Sequence, residues 1–126
     1  MAAKTYPGYA TTKETAAAQV FLRLLGADAL DPDLIAVVVA WVRSGGGPQS
    51  NPLRQMVRGK LVHYSSLTDA LRAAAARLIR AKELKGFGLV VRAFQRGHAN
   101  EALVAIAMSG WDKDHYGLDK DGLPDA

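Results

Sequence analysis

The stretch Leu34 to Val42, LIAVVVAWV, runs nine apolar residues before its first charge at Arg43. It is preceded by Asp31-Pro32-Asp33, which supplies a capping carboxylate, a proline at the first helical position and a second acid near the positive end of the helix dipole. Together these predict a helix over about Pro32 to Arg43. Such a helix is apolar on every face, and a helix apolar all round has to be enclosed by others. It is also about half the ~20 residues needed to cross a bilayer, so it reads as the centre of a protein core and not as a membrane span.

The remaining periodicities supply the enclosing helices. Thr11 followed by Glu14 has the form of a capping box, and Ala17, Val20, Phe21 and Leu24 repeat at helical spacing until Gly26, predicting a helix from about Thr12 to Leu25. Ser66 and Asp69 start another, with Leu67, Ala70, Leu71, Ala74 and Leu78 on one face and Arg72, Arg77 and Arg80 expected largely elsewhere. A shorter helix places Phe87, Val90, Val91 and Phe94 in register before Gly97, and a fifth, about Ala99 to Met108, is expected to bury Leu103 and Ile106. The fold class is therefore all-α: a single compact domain of about five helices around a buried central one. The expected organisation is a flexible N-terminal arm over 1–10, the helical domain over 11–117 and a flexible tail over 118–126.

With 126 residues and 49% hydrophobic content, the chain fits one domain with one core. It contains no cysteine, and His63, His98 and His115 lack helical ligand spacing, so no metal and no cofactor are expected. The N-terminus, MAAKTYPGYATTKE, has no apolar run of the secretory kind, and synthesis in the cytoplasm without a signal peptide is expected. Charge is uneven: Arg43 to Arg96 holds eleven Lys and Arg against two acids, while the flanks hold ten acids against five bases. The basic middle is either a solvated helix surface or an electropositive face for an anionic partner, with Arg54, Arg58 and Lys60 as candidate contacts.

Between the second and third helices lies SGGGPQSNPLRQMVRGKLVHYSS. Long ordered loops in small domains are commonly functional or hide a hairpin. KLVHY is a candidate strand for a short hairpin within 44–65, and the loop is a candidate binding groove.

Four pieces of the chain, in order, resemble the lysozyme-like muralytic domains of virion and tail proteins from bacteriophages that infect actinobacteria. Their pattern is Trp-x-x-x-Glu-Gly-Gly, Asn-Asn-Pro-Leu-Asn-Thr, Tyr-x-Ser opening a helix, and Ser-x-Trp-x-x-x-x-Tyr-Gly. Matching positions are Trp41, Gly46, Gly47, Asn51, Pro52, Leu53, Tyr64, Ser66, Ser109, Trp111, Tyr116 and Gly117. The resemblance covers about residues 20 to 117 and implies a lysozyme-like domain whose groove involves Ser44, Gly45, Asn51, Tyr64, Trp111, His115 and Tyr116. It departs where chemistry matters most, because Gly45 stands at the position of the family's catalytic glutamate and Arg54-Gln55 replaces the Asn-Thr.

A lysozyme needs a carboxylic acid whose pKa burial has raised, so that it can protonate the glycosidic oxygen. Glycine has no proton to give, and no catalytic residue is assigned. Asp112, Asp114 and Glu83 do not follow the core helix and read as surface charges. If the match holds, Gly45→Glu should be tolerated structurally.

The first functional reading is thus a non-enzymatic virion structural protein, tail- or capsid-associated and present in multiple copies, acting through contacts with other virion proteins. The alternatives are a peptidoglycan-binding or weakly muralytic domain and a small basic nucleic-acid-binding protein. A membrane partner is not expected.

Overall fold

The helices start and stop where backbone polar groups find partners. The structure, a computed structural model, describes residues 4–5, 8–83 and 85–109. Its helices are α1 (Thr12–Leu25), α2 (Pro32–Ser44), α3 (Leu67–Arg80), α4 (Lys85–Gln95) and α5 (Ala99–Met108). Thr11 and Glu14 form the capping box at the head of α1. Asp31 accepts from the Asp33 and Leu34 amides at the head of α2, and Ser66 accepts from the Asp69 amide at the head of α3. At the end of α1, Gly26 takes φ 81°, and the Ala27 amide reaches back to the Leu22 carbonyl. This left-handed stop satisfies carbonyls that the helix itself leaves unpaired.

Seven residues of α2 are buried: Leu34, Ile35, Val37, Val38, Val39, Trp41 and Val42. The helix lies against α1, α5 and the short strand β1 (Lys4–Thr5). α1 in turn packs on α2, α3 and α4, most extensively on α3. Ala17 and Ala18 of α1, with Ala70, Ala74 and Ala75 of α3, are all buried, and such small side chains let two helix backbones come close. Phe21 joins three helices, meeting Trp41 of α2 and Phe94 of α4 edge-on, with ring centroids 5.7 and 5.6 Å apart. Edge-to-face pairs of this kind add to the area that the rings bury.

Strands are minor. β1 pairs antiparallel with β2 (Gly8–Tyr9), so the expected flexible arm carries paired backbone where it is described, and Ala10 after it is buried. Within the long loop, β3 (Met56–Val57) pairs with β4 (Lys60–Leu61). Arg58 and Gly59 form the turn at φ 52° and 76°, the doubly positive geometry that matches the twist of a two-residue hairpin.

Two expectations need correction. Leu103 is 49% exposed, and α5 buries Ala102 and Ile106 instead, because the face it turns towards α2 and α4 is narrow. Arg77 is fully buried: its stem follows the apolar face of α3, and its guanidinium donates to the Met56 carbonyl of the hairpin. The expected tail 118–126 lies outside the described residues.

Phe21→Ala should therefore cost about 3–5 kcal/mol in urea unfolding, the range for emptying a buried aromatic site. Leu103→Ala should stay within about 0.5 kcal/mol, as for a surface change.

Candidate functional site at the end of the buried helix

The chain leaving α2 doubles back at once. Ser44 is exposed and its hydroxyl donates to the Trp41 carbonyl at 3.0 Å. Gly45 stays helical at φ −66° and ψ −23°, whereas Gly46 crosses to φ 72°. A Cβ on Gly45 would stand 2.2 Å from the Pro52 carbonyl oxygen, and one on Gly47 would stand 2.1 Å from that of Asn51. The Gly47 amide donates to the Pro52 carbonyl at 3.1 Å. Gly45 and Gly47 are thus held by backbone-to-backbone packing, and Gly46 by its left-handed conformation. The expectation that Gly45→Glu is tolerated is overturned, since its first side-chain atom would overlap the main chain of the loop opposite.

The returning arm is built on buried amides. Asn51, fully buried, donates to the carbonyls of Gln55 and Val62 at 2.8 Å each and accepts from the Gln55 amide at 2.9 Å. Gln55, also fully buried, donates from its side chain to the Ala70 carbonyl of α3 at 2.8 Å. With the Arg77 contact to Met56, this fastens the loop to α3 at two points. Each of these bonds also fixes the loop's path, while the Gln55 Oε1 is enclosed without a hydrogen-bond partner. Asn51 therefore offers no surface to a ligand.

Between the glycine loop, the heads of α1 and α3 and the end of α2 lies a groove of about 1110 Å³. Its rim carries the side chains of Thr11, Gln49, Ser50, Tyr64, Ser65, Ser66 and Thr68, and its apolar patches come from Ala16, Val42, Pro48, Pro52 and Leu67. Tyr64 lines it, with its hydroxyl enclosed and lacking a hydrogen-bond partner. Burial pushes that phenol's pKa up, against the opposing pull of the positive charge on Arg77.

Among the described residues lining the groove, Glu14 is the one carboxylate. Arg43 grips it in a two-pronged pair, Nε to Oε2 at 2.8 Å and Nη2 to Oε1 at 2.7 Å, while the Thr11 amide donates to Oε1 at 2.9 Å. The two side chains are 15% and 24% exposed. The Arg43 hydrogen bonds chiefly, and the Thr11 bonds after them, hold the Glu14 carboxyl at about 2, well below its ordinary 4.5 and against the upward push of burial. A glycosidic general acid needs the opposite environment. Glu14 is a fixed anion, its charge answered inside the groove wall.

The anticipated site residues thus separate. Tyr64 lines the groove; Ser44, Gly45 and Asn51 do not. Trp111, His115 and Tyr116 lie outside the described residues, as do Asp112 and Asp114, while Glu83 is exposed beyond the end of α3. Arg58 and Lys60 are exposed at the hairpin tip, and Arg54 is half-buried at φ 57° with its stem beside Gly47. Sequence reasoning passed over Glu14 and Arg43 as a pair because 29 residues separate them. The capping box was legible, but its long-range partner left no periodic signal.

Among the described residues no group of three or more His, Cys, Asp or Glu gathers to hold a metal ion, and no helix is long and apolar enough to cross a membrane. Comparison with family models, curated proteins and solved structures finds no match.

Two outcomes are expected. Gly45→Ala, although helical in φ, should destabilise by roughly 1–3 kcal/mol, as overpacking does, while Ser44→Ala beside it should cost far less. Glu14→Gln should cost roughly 1–3 kcal/mol near neutral pH, the range for a hydrogen bond to a charged group. Because the folded pKa is depressed, the Glu14 contribution is complete above 4.5 and fades as pH falls towards about 2. Chemical unfolding of the two proteins at a series of pH values should show their stabilities converging on acidification.

Proposed function

We propose that this chain works by binding and not by chemistry, as a lysozyme-like domain reused in a non-enzymatic, structural role in a bacteriophage particle, where it contacts neighbouring virion proteins. The observation that carries the non-enzymatic part is the state of the groove. Glycoside hydrolysis uses two carboxyl groups, one of them kept protonated near neutral pH. The described groove wall holds one, and Arg43 keeps it ionised. The residue that the family resemblance puts at the catalytic position is a glycine with no room for a side chain. The phage setting rests on the sequence resemblance.

A second reading, peptidoglycan binding, is favoured by the groove's lining. Side chains of Thr11, Gln49, Ser50, Ser65, Ser66 and Thr68 share the lining with the Tyr64 ring and with apolar residues, which suits the mixed polar and apolar faces of a sugar chain. Of the eleven bases in the basic middle, Arg43 is paired with Glu14 and Arg77 with the buried hairpin contact.

The decisive experiment incubates the purified protein with actinobacterial sacculi, then separates pellet from supernatant and analyses released muropeptides. No release is expected, from this protein or from Glu14→Gln. Release would overturn the non-enzymatic reading. Retention in the pellet that Tyr64→Ala abolishes would establish the glycan-binding reading. Mass spectrometry of purified phage particles encoding the chain should find it in multiple copies, and its absence would remove the virion assignment.

A further inference from the structure

The second surface that calls for a partner is the outer face of α4 and α5. From Ala102 to Met108, α5 carries no charge, yet Val104 is 56% and Met108 79% exposed, and Leu89 of α4 is 49% exposed beside them. A groove of about 690 Å³ runs between the two helices. Helices that are apolar on an uncovered face call for a cover.

α4 and α5 form an antiparallel hairpin closed by Arg96 to His98. Gly86 near the start of α4 stands against Ser109 after α5, where an added Cβ would lie 3.3 Å from the Ser109 Cα. The groove is therefore polarised. Arg92, Arg96 and Glu101 line its closed end, and Leu89, Val104 and Met108 its open end. Glu101 touches its own His98 at 3.1 Å, but both side chains are more than half exposed, so this contact is weak and exchangeable.

We propose that this face binds a second copy of the chain, making a two-fold dimer in which two α4–α5 hairpins form a four-helix bundle. Rotation by half a turn about an axis along the hairpin lays α4 of one copy over α5 of the other. Arg92 and Arg96 of each then face Glu101 of its partner, while Leu89 meets Val104 and Met108 across the seam. The patch is complementary to itself in both charge and apolarity, as an isologous interface requires. A helix of eleven residues is about 16 Å long. Two such helices are short beside the ~800 Å² per partner of a standard interface, so a reversible, concentration-dependent association is expected. The interface is separate from the groove at the end of α2 and does not depend on what that groove binds.

The test is sedimentation velocity on the full chain from low micromolar to submillimolar concentration. A monomer–dimer equilibrium is expected. Val104→Lys combined with Met108→Lys should leave only monomer, with an unchanged helical circular dichroism spectrum. Arg96→Glu should weaken the dimer roughly tenfold by setting like charges opposite each other, and adding Glu101→Lys to the same chain should restore it. A chain that stays monomeric throughout would overturn the proposal, as its own residues 110–126 or another protein would then be the occupant. A dimer untouched by the Val104 and Met108 changes would overturn it as well.

Discussion

Enclosing α2 on all sides is the constraint from which the other features follow. A rod of nine apolar residues can be covered only if chain arrives from both directions. α1, α5 and the short β1 strand lie directly against it, while α3 packs on α1, α4 packs on α5 and α1, and both add their own buried residues to the same core. Phe21 sits where these layers meet, touching rings from α2 and α4. Once α2 is surrounded, its C-terminus has little room to leave. The chain turns back through three glycines, two of which press their backbone onto the Asn51 and Pro52 carbonyls, and it is then stitched to α3 by Gln55 and Arg77. The groove is the space left beside this turn.

Electrostatics inside the groove follow from economy of parts. Glu14 already belongs to the capping box of α1, so its carboxylate is pre-ordered by the Thr11 amide. Arg43 near the end of α2 meets a ready acceptor, and a two-pronged guanidinium–carboxylate pair adds geometric definition as well as attraction. The pair ties the first turn of α1 to the last turn of α2, with the arginine also placed favourably at the negative end of its helix dipole. What it secures in fold geometry, it removes from proton chemistry. A carboxyl held at about 2 serves as a strut between the two helices.

Much of the architecture was legible along the chain because local rules governed it. The capping signals at Thr11, Asp31 and Ser66 and the stop at Gly26 marked helix boundaries, since caps and left-handed stops involve residues only a few positions apart. Five helices and a hairpin within the long loop follow from such signals and from periodicity. Periodicity misjudged Leu103 and Arg77 in opposite directions. It records which residues share a helix face, and not how far a neighbouring helix extends over that face or whether a carbonyl from a distant hairpin waits for an arginine.

By itself, then, the sequence determined an all-α chain organised around the helix at Leu34 to Val42, with its caps and its glycine-rich exit, because hydrophobic period and capping chemistry act over one or two turns. Only the tertiary structure decided that Gly45 cannot carry a side chain, that Asn51 and Gln55 are internal fasteners, that Glu14 is locked by Arg43, and that Val104 and Met108 of α5 are exposed. Each of these depends on segments remote in sequence approaching within contact distance, and burial, steric exclusion and charge pairing take their values only once that approach has been made.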